Sequence, residues 1–93
     1  MDDRAIKNQI VGKMLRKRVI GGKKQQIDTV VNYSLPTHEQ GRGKELVEEM
    51  LTDAETPIEG YGGRHRSNIR LTSAEDAIQY LKDHDGDVPF PFG

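Results

Sequence analysis

The chain has 93 residues, no cysteine, no tryptophan and a formal net charge of −1. That length supports one domain with a small core, burying roughly 60–65% of its unfolded surface. Large multi-strand architectures, a disulfide framework and a cysteine zinc site are therefore excluded. Leu, Ile, Val and Phe supply 21 residues, just above the level at which a chain stops looking globular, and no apolar run approaches the ~18 residues of a membrane span. The charged, acidic start does not resemble a signal peptide. An intracellular, cytoplasmic protein without a membrane partner is expected.

Charge is unevenly distributed. Residues 1–44 carry ten Lys/Arg against four Asp/Glu, and residues 45–93 carry four against eleven. Such segregation suggests one anion-facing surface on an acidic body.

Residues 2–20 read as a helix. Ile6, Ile10 and Met14, with Val11 and Leu15 beside them, form a stripe at helical spacing. Asp2 and Asp3 suit its first turn and Arg16, Lys17 and Arg18 its end. Gly21 and Gly22 are the expected stop. Lys23 to Gln26 suits a short extended piece. Ile27, Val30 and Val31 fit a short helix by spacing but a strand by β-branching. Leu35-Pro36 demands an extended or turn conformation.

Residues 37–52 form the second expected helix. Thr37 and Gln40 match a capping box. Leu46, Val47, Met50 and Leu51 make its apolar face. Gly41 and Gly43 weaken its first half by ~1 kcal/mol each against Ala. That half must be held by neighbours, or it serves a close approach. Residues 56–72 read as a β-hairpin, with Ile58 and Tyr61 opening, Ile69 and Leu71 closing, and Gly60, Gly62 and Gly63 turning. Residues 73–84 form a third helix, capped by Thr72 or Ser73, with Ala74, Ala77, Ile78 and Leu81 on one face. Asp85-Gly86-Asp87 ends it. The tail Val88-Pro89-Phe90-Pro91-Phe92 cannot be helical, and at least one Phe is expected to dock on the core.

This order is helix, short strand or turn, short helix, turn, longer helix, hairpin, helix. It resembles the winged helix-turn-helix family, over roughly residues 4–84. The likeness is densest in Leu35-Pro36-Thr37-His38 leading into Gly43-Lys44-Glu45-Leu46-Val47, then Thr56-Pro57-Ile58-Glu59-Gly60-Tyr61-Gly62-Gly63 and Asn68-Ile69-Arg70-Leu71-Thr72. The chain also looks like small archaeal winged-helix proteins. It departs from the family in the link Asn32-Tyr33-Ser34-Leu35-Pro36, which lacks the usual glycine.

The resemblance implies an α+β, mainly α fold with a three-helix core, a β-hairpin wing and a C-terminal helix. It occupies residues 1–86, with 87–93 as a tail. It implies a DNA-binding protein, a transcriptional regulator, that reads duplex DNA with helix 37–52 and wing 60–68. Thr37, His38, Gln40, Arg42 and Lys44 would face base edges, where Arg suits guanine and Gln suits adenine. Arg64, His65 and Arg66 would form the wing contact, with Asn68 beside them. Lys23 and Lys24 would meet phosphate, as would the free amides at the start of helix 37–52. A homodimer would use the first helix or the tail. The alternative is a winged-helix protein–protein interaction module that uses the acidic half without touching nucleic acid.

A plainer reading stands beside these roles. Arg42 and Lys44 also suit ion pairs with Glu45, Glu48 or Glu49 across helical turns. Lys13, Arg16, Lys17 and Arg18 suit a solvated helix face. Catalytic motifs fail on inspection. Gly41-Arg42-Gly43-Lys44 lacks phosphate-loop spacing, and His65 replaces the last glycine of a dinucleotide fingerprint. His38, His65 and His84 fall on three different elements, and Ser34, Ser67 and Ser73 lack a nucleophile elbow. The expectation is a non-enzyme without cofactor, metal or small-molecule substrate.

Overall fold

The stripe of Ile6, Ile10, Val11, Met14 and Leu15 is buried along helix α1 (Asp3–Arg16). Asp2 caps it by accepting a hydrogen bond from the Ala5 amide at 2.8 Å. The computed structural model describes residues 1–61 and 68–91. After α1 come β1 (Gln25–Gln26), α2 (Ile27–Ser34), a 3-10 turn (Thr37–Glu39), α3 (Gln40–Leu51), β2 (Ile58–Tyr61), β3 (Asn68–Leu71) and α4 (Ala74–Asp83). Among the described residues the class is α+β and mainly helical, with a small antiparallel sheet in the order β1-β3-β2. No helix among them is long and apolar enough to cross a membrane.

Helix α1 ends four residues before the expected Ile20, and the two glycines do not stop it. The Arg18 amide donates to the Leu15 carbonyl and the Val19 amide to that of Met14, each at 3.0 Å. This is the Schellman arrangement. Arg18 occupies its left-handed position, with φ 56°, where a side chain costs roughly 1–2 kcal/mol. Val19 and Ile20 then run to the sheet. The Leu71 amide donates to the Val19 carbonyl at 2.8 Å, and Ile20 bridges Leu71 in parallel. Gly21, with φ 64°, turns the chain after this contact.

Strand β1 is created by pairing, since Gln25 and Gln26 lie opposite Ile69 and Asn68. On its other side β3 pairs with β2 in the register Ile58↔Leu71 to Tyr61↔Asn68. The central position of β3 explains why Ile69 and Leu71 are fully buried. Glu59 and Arg70 are direct cross-strand partners, joined by a 2.6 Å bond from Arg70 Nε.

Helix α2 forms despite its β-branched residues because Val30 and Val31 are buried against the core. Burial here outweighs local propensity. Leu35 is extended (ψ 149°), as the following proline requires. The expected capping box is absent. Thr37 opens the 3-10 turn, no side chain caps that turn or α3, and Gln40 Nε2 donates to the Leu35 carbonyl at 3.2 Å. In α4, Ser73 accepts from the Asp76 amide at 3.0 Å. Ala77, Tyr80 and Leu81 are buried along α4. Of the tail, Val88 packs on the core while Phe90 is 91% exposed. Phe92 lies outside the described residues.

Candidate nucleic-acid interface

The leading end of α3 is set by its contact with α2. Gly43 is buried there, and a Cβ on it would stand 2.4 Å from Leu35 Cδ1 and 3.5 Å from Val31 Cγ1. The glycine therefore lets two helices approach closely across a link that itself lacks glycine. Thr37, His38, Gly41 and Lys44 are exposed, and Gln40 is half-buried.

Both cations of this segment have partners within the protein. Arg42 grips Asp3 of α1 with two bonds, Nη2 to Oδ2 at 2.6 Å and Nε to Oδ1 at 3.0 Å. Its Nη1 lies 3.5 Å from Glu45 and 3.8 Å from Glu49. The hydrogen bond from Arg42 holds the Asp3 carboxyl below its ordinary value of 3.8, and the same bond raises Arg42 further above the usual arginine value. Lys44 pairs with Asp28 of α2 at 2.7 Å. His38 Nε2 stands 3.6 Å from Glu39 Oε1, which also takes the Met1 ammonium at 3.0 Å. Helical spacing pointed to Glu45 and Glu49, and Arg42 reaches both. Its shortest bonds, and the Lys44 pair, instead come from α1 and α2. Further along α3, Glu45, Glu48 and Glu49 are exposed, so this face turns acidic after its first turn.

The link between α1 and β1 has a different character. Lys23 Nζ donates to the Lys17 carbonyl at 2.9 Å, where the last carbonyls of α1 attract cations. Lys17 Nζ stands 4.6 Å from the centre of the Tyr33 ring, a cation–π contact. The Tyr33 hydroxyl donates to Gln25 Oε1 at 2.6 Å, and burial pushes its pKa up to about 12. Lys24 is exposed. Arg64, His65 and Arg66 of the expected wing lie outside the described residues. The flanking strands are paired as far as Tyr61↔Asn68.

One charge feature was not singled out from the sequence, though it is visible there. Between Asp3 and Asp28 lie eight cations and no carboxylate: Arg4, Lys7, Lys13, Arg16, Lys17, Arg18, Lys23 and Lys24. Of this block, Arg4 pairs with Asp85 at 3.5 Å. An open groove of ≈ 600 Å³ is lined by Arg4 and Lys7 of this block but also by Asp53, Glu55, Asp76 and Asp83, so carboxylates outnumber cations there. Among the described residues no group of three His, Asp or Glu could hold a metal ion. No family model, curated protein or solved structure matches this chain.

Proposed function

We propose that the chain is a winged-helix DNA-binding protein acting as a transcriptional regulator. The observation that carries this reading is the element order. A helix, a short strand, a short helix, a turn, a longer helix, a hairpin and a final helix follow one another as the resemblance implies. The close α2–α3 contact at Gly43 supports it, because it gives the longer helix a fixed aim with Thr37 and His38 in solvent. The carboxylate-free cationic block supports a polyanionic partner. In this reading Arg42 exchanges Asp3 for DNA when it binds. The stripe of α1 is consumed by its own core, so the tail around exposed Phe90 is the surface offered to a second copy.

The test is binding to mixed-sequence duplex DNA, followed by fluorescence anisotropy from low to moderate salt. Phosphate contact gives a straight, steep loss on a log–log plot. Arg64→Ala with Arg66→Ala weakens binding to all sequences, whereas Arg42→Ala also relaxes sequence preference. The acidic face of Glu45, Glu48 and Glu49 favours a second reading, a protein-interaction module. Absence of DNA binding at low salt selects it.

A further inference from the structure

We infer that the principal phosphate-contacting surface is the C-terminal end of α1 with the α1–β1 link (Arg16, Lys17 and Lys23, beside Tyr33) and not the exposed face of α3. This inference rests on the DNA-binding reading and assigns it a surface.

Lys13, Arg16 and Lys17 stand at i, i+3 and i+4, so they share one flank of α1. Like charges at that spacing repel one another. Among the described residues these three and Lys23 form no ion pair. The bond from Lys23 to the Lys17 carbonyl brings a fourth cation to the same end. The backbone also keeps a side chain at Arg18, in a conformation that glycine would adopt without strain.

The carboxylates on the α2 and sheet sides of this surface are paired: Arg70, which donates to the Gly21 carbonyl of the link at 2.7 Å, also holds Glu59 at 2.6 Å. Gln26, Thr29 and Asn32 are exposed and uncharged, and Asp28 is held by Lys44. Tyr33 adds a half-buried ring at the edge of the cluster. Asp85 and Asp87 share a groove with Lys13 and Arg16, and Asp85 is already taken by Arg4. Lys17 and Lys23 therefore form the centre of the surface, with Arg16 and Lys13 at its margin. The exposed face of α3 offers the opposite, three carboxylates against two cations that already have partners.

Three variants of the full chain test this with a mixed-sequence duplex. The first carries Arg16→Gln, Lys17→Gln and Lys23→Gln. The second carries Arg16→Lys, Lys17→Arg and Lys23→Arg, which keeps the charge. The third removes charge elsewhere through Lys7→Gln and Lys82→Gln, which leaves the Arg4–Asp85 pair intact. Lys7 stands ~15 Å from Lys17 along the helix at 1.5 Å per residue. Each released phosphate contact lowers the salt slope by about 0.9. The first variant is expected to lose about 2.7 from the slope, and more than tenfold in affinity at ~0.1 M salt. The second and third are expected to retain the wild-type slope within about one contact. If the wild type binds and the first variant keeps its slope, this surface is wrong while the DNA-binding reading stands. If the third variant loses as much as the first, net charge alone acts and the surface is again wrong. A wild type that does not bind at low salt overturns both.

Discussion

Gly41 and Gly43 lie two residues apart in α3, and the same substitution at each should have opposite effects. At Gly41 an added methyl meets nothing within 4 Å. Gly41→Ala should therefore stabilise by about 0.5–1 kcal/mol through backbone entropy alone. At Gly43 the methyl would stand 2.4 Å from Leu35 Cδ1, where ordinary contact begins at 3.4 Å. The Leu35 tip must retreat by the difference, about 1 Å, within a side chain only 5% exposed and next to fully buried Val31. Overpacking of this kind costs about 1–3 kcal/mol against a propensity gain of about 1 kcal/mol. The net expectation is a loss of about 1 kcal/mol. The two variants then differ by about 2 kcal/mol, on the order of 10 °C in Tm for a domain of this size. Thermal and urea unfolding followed by circular dichroism measure this directly. Leu35→Ala should also cost less in the Gly43→Ala background than in the wild type, because it removes the clash. Equal stabilisation by both alanines would refute the close α2–α3 contact.

Four further outcomes follow from the structure. The Ser34 hydroxyl is buried without a hydrogen-bond partner, so Ser34→Ala should raise the urea midpoint, by up to about 1 kcal/mol in stability. Arg18→Gly should be more stable than Arg18→Ala by up to about 1 kcal/mol, since both lose the side chain but only glycine relieves the left-handed backbone, and equal melting temperatures of the two variants would count against the α1 termination described. The Asp3 carboxyl is depressed below 3.8 by Arg42, so its contribution is complete above that pH and vanishes as pH falls through the folded value. The stability difference between wild type and Asp3→Asn should thus narrow only below about pH 4, and a gap that closes at neutral pH would disprove the pair. Tyr33 is raised from 10.0 to about 12, so its contribution is complete below pH 10 and is lost as pH rises toward 12. Alkaline denaturation should be shallower for Tyr33→Phe, with hydroxyl ionisation read by ultraviolet absorbance.

Helices α1 and α4 could be read from sequence because both signals are local. Each has an apolar stripe and a capping carboxylate or hydroxyl three residues before the amide it binds. The hairpin was readable too, since alternation at Ile69 and Leu71 reflects one buried face. Three features required the folded chain. Two glutamines form a strand only because β3 offers a free edge. Helix α1 stops at an arginine in a glycine conformation, so the glycines further on misplaced its end. Arg42 finds its shortest partner on α1, 39 residues away in sequence, which no helical spacing reports. The glycine at position 43 stood out as a weakness, and the structure gives its cause in the Leu35 side chain. Tyr80 was missed as a core residue because its hydroxyl disguised a ring that is 8% exposed.

The pairing of Gln25 with Ile69 also governs how the chain is completed during synthesis. A nascent chain that has reached the end of α3 holds three helices but no second strand. Val19 and Ile20 then have no Leu71 to meet. Closing that 44-residue separation is an entropic step that local contacts cannot replace. The sheet can therefore form only after the chain has been made as far as Leu71. Any interruption ahead of Asn68 would release a sticky helical fragment rather than a smaller working protein.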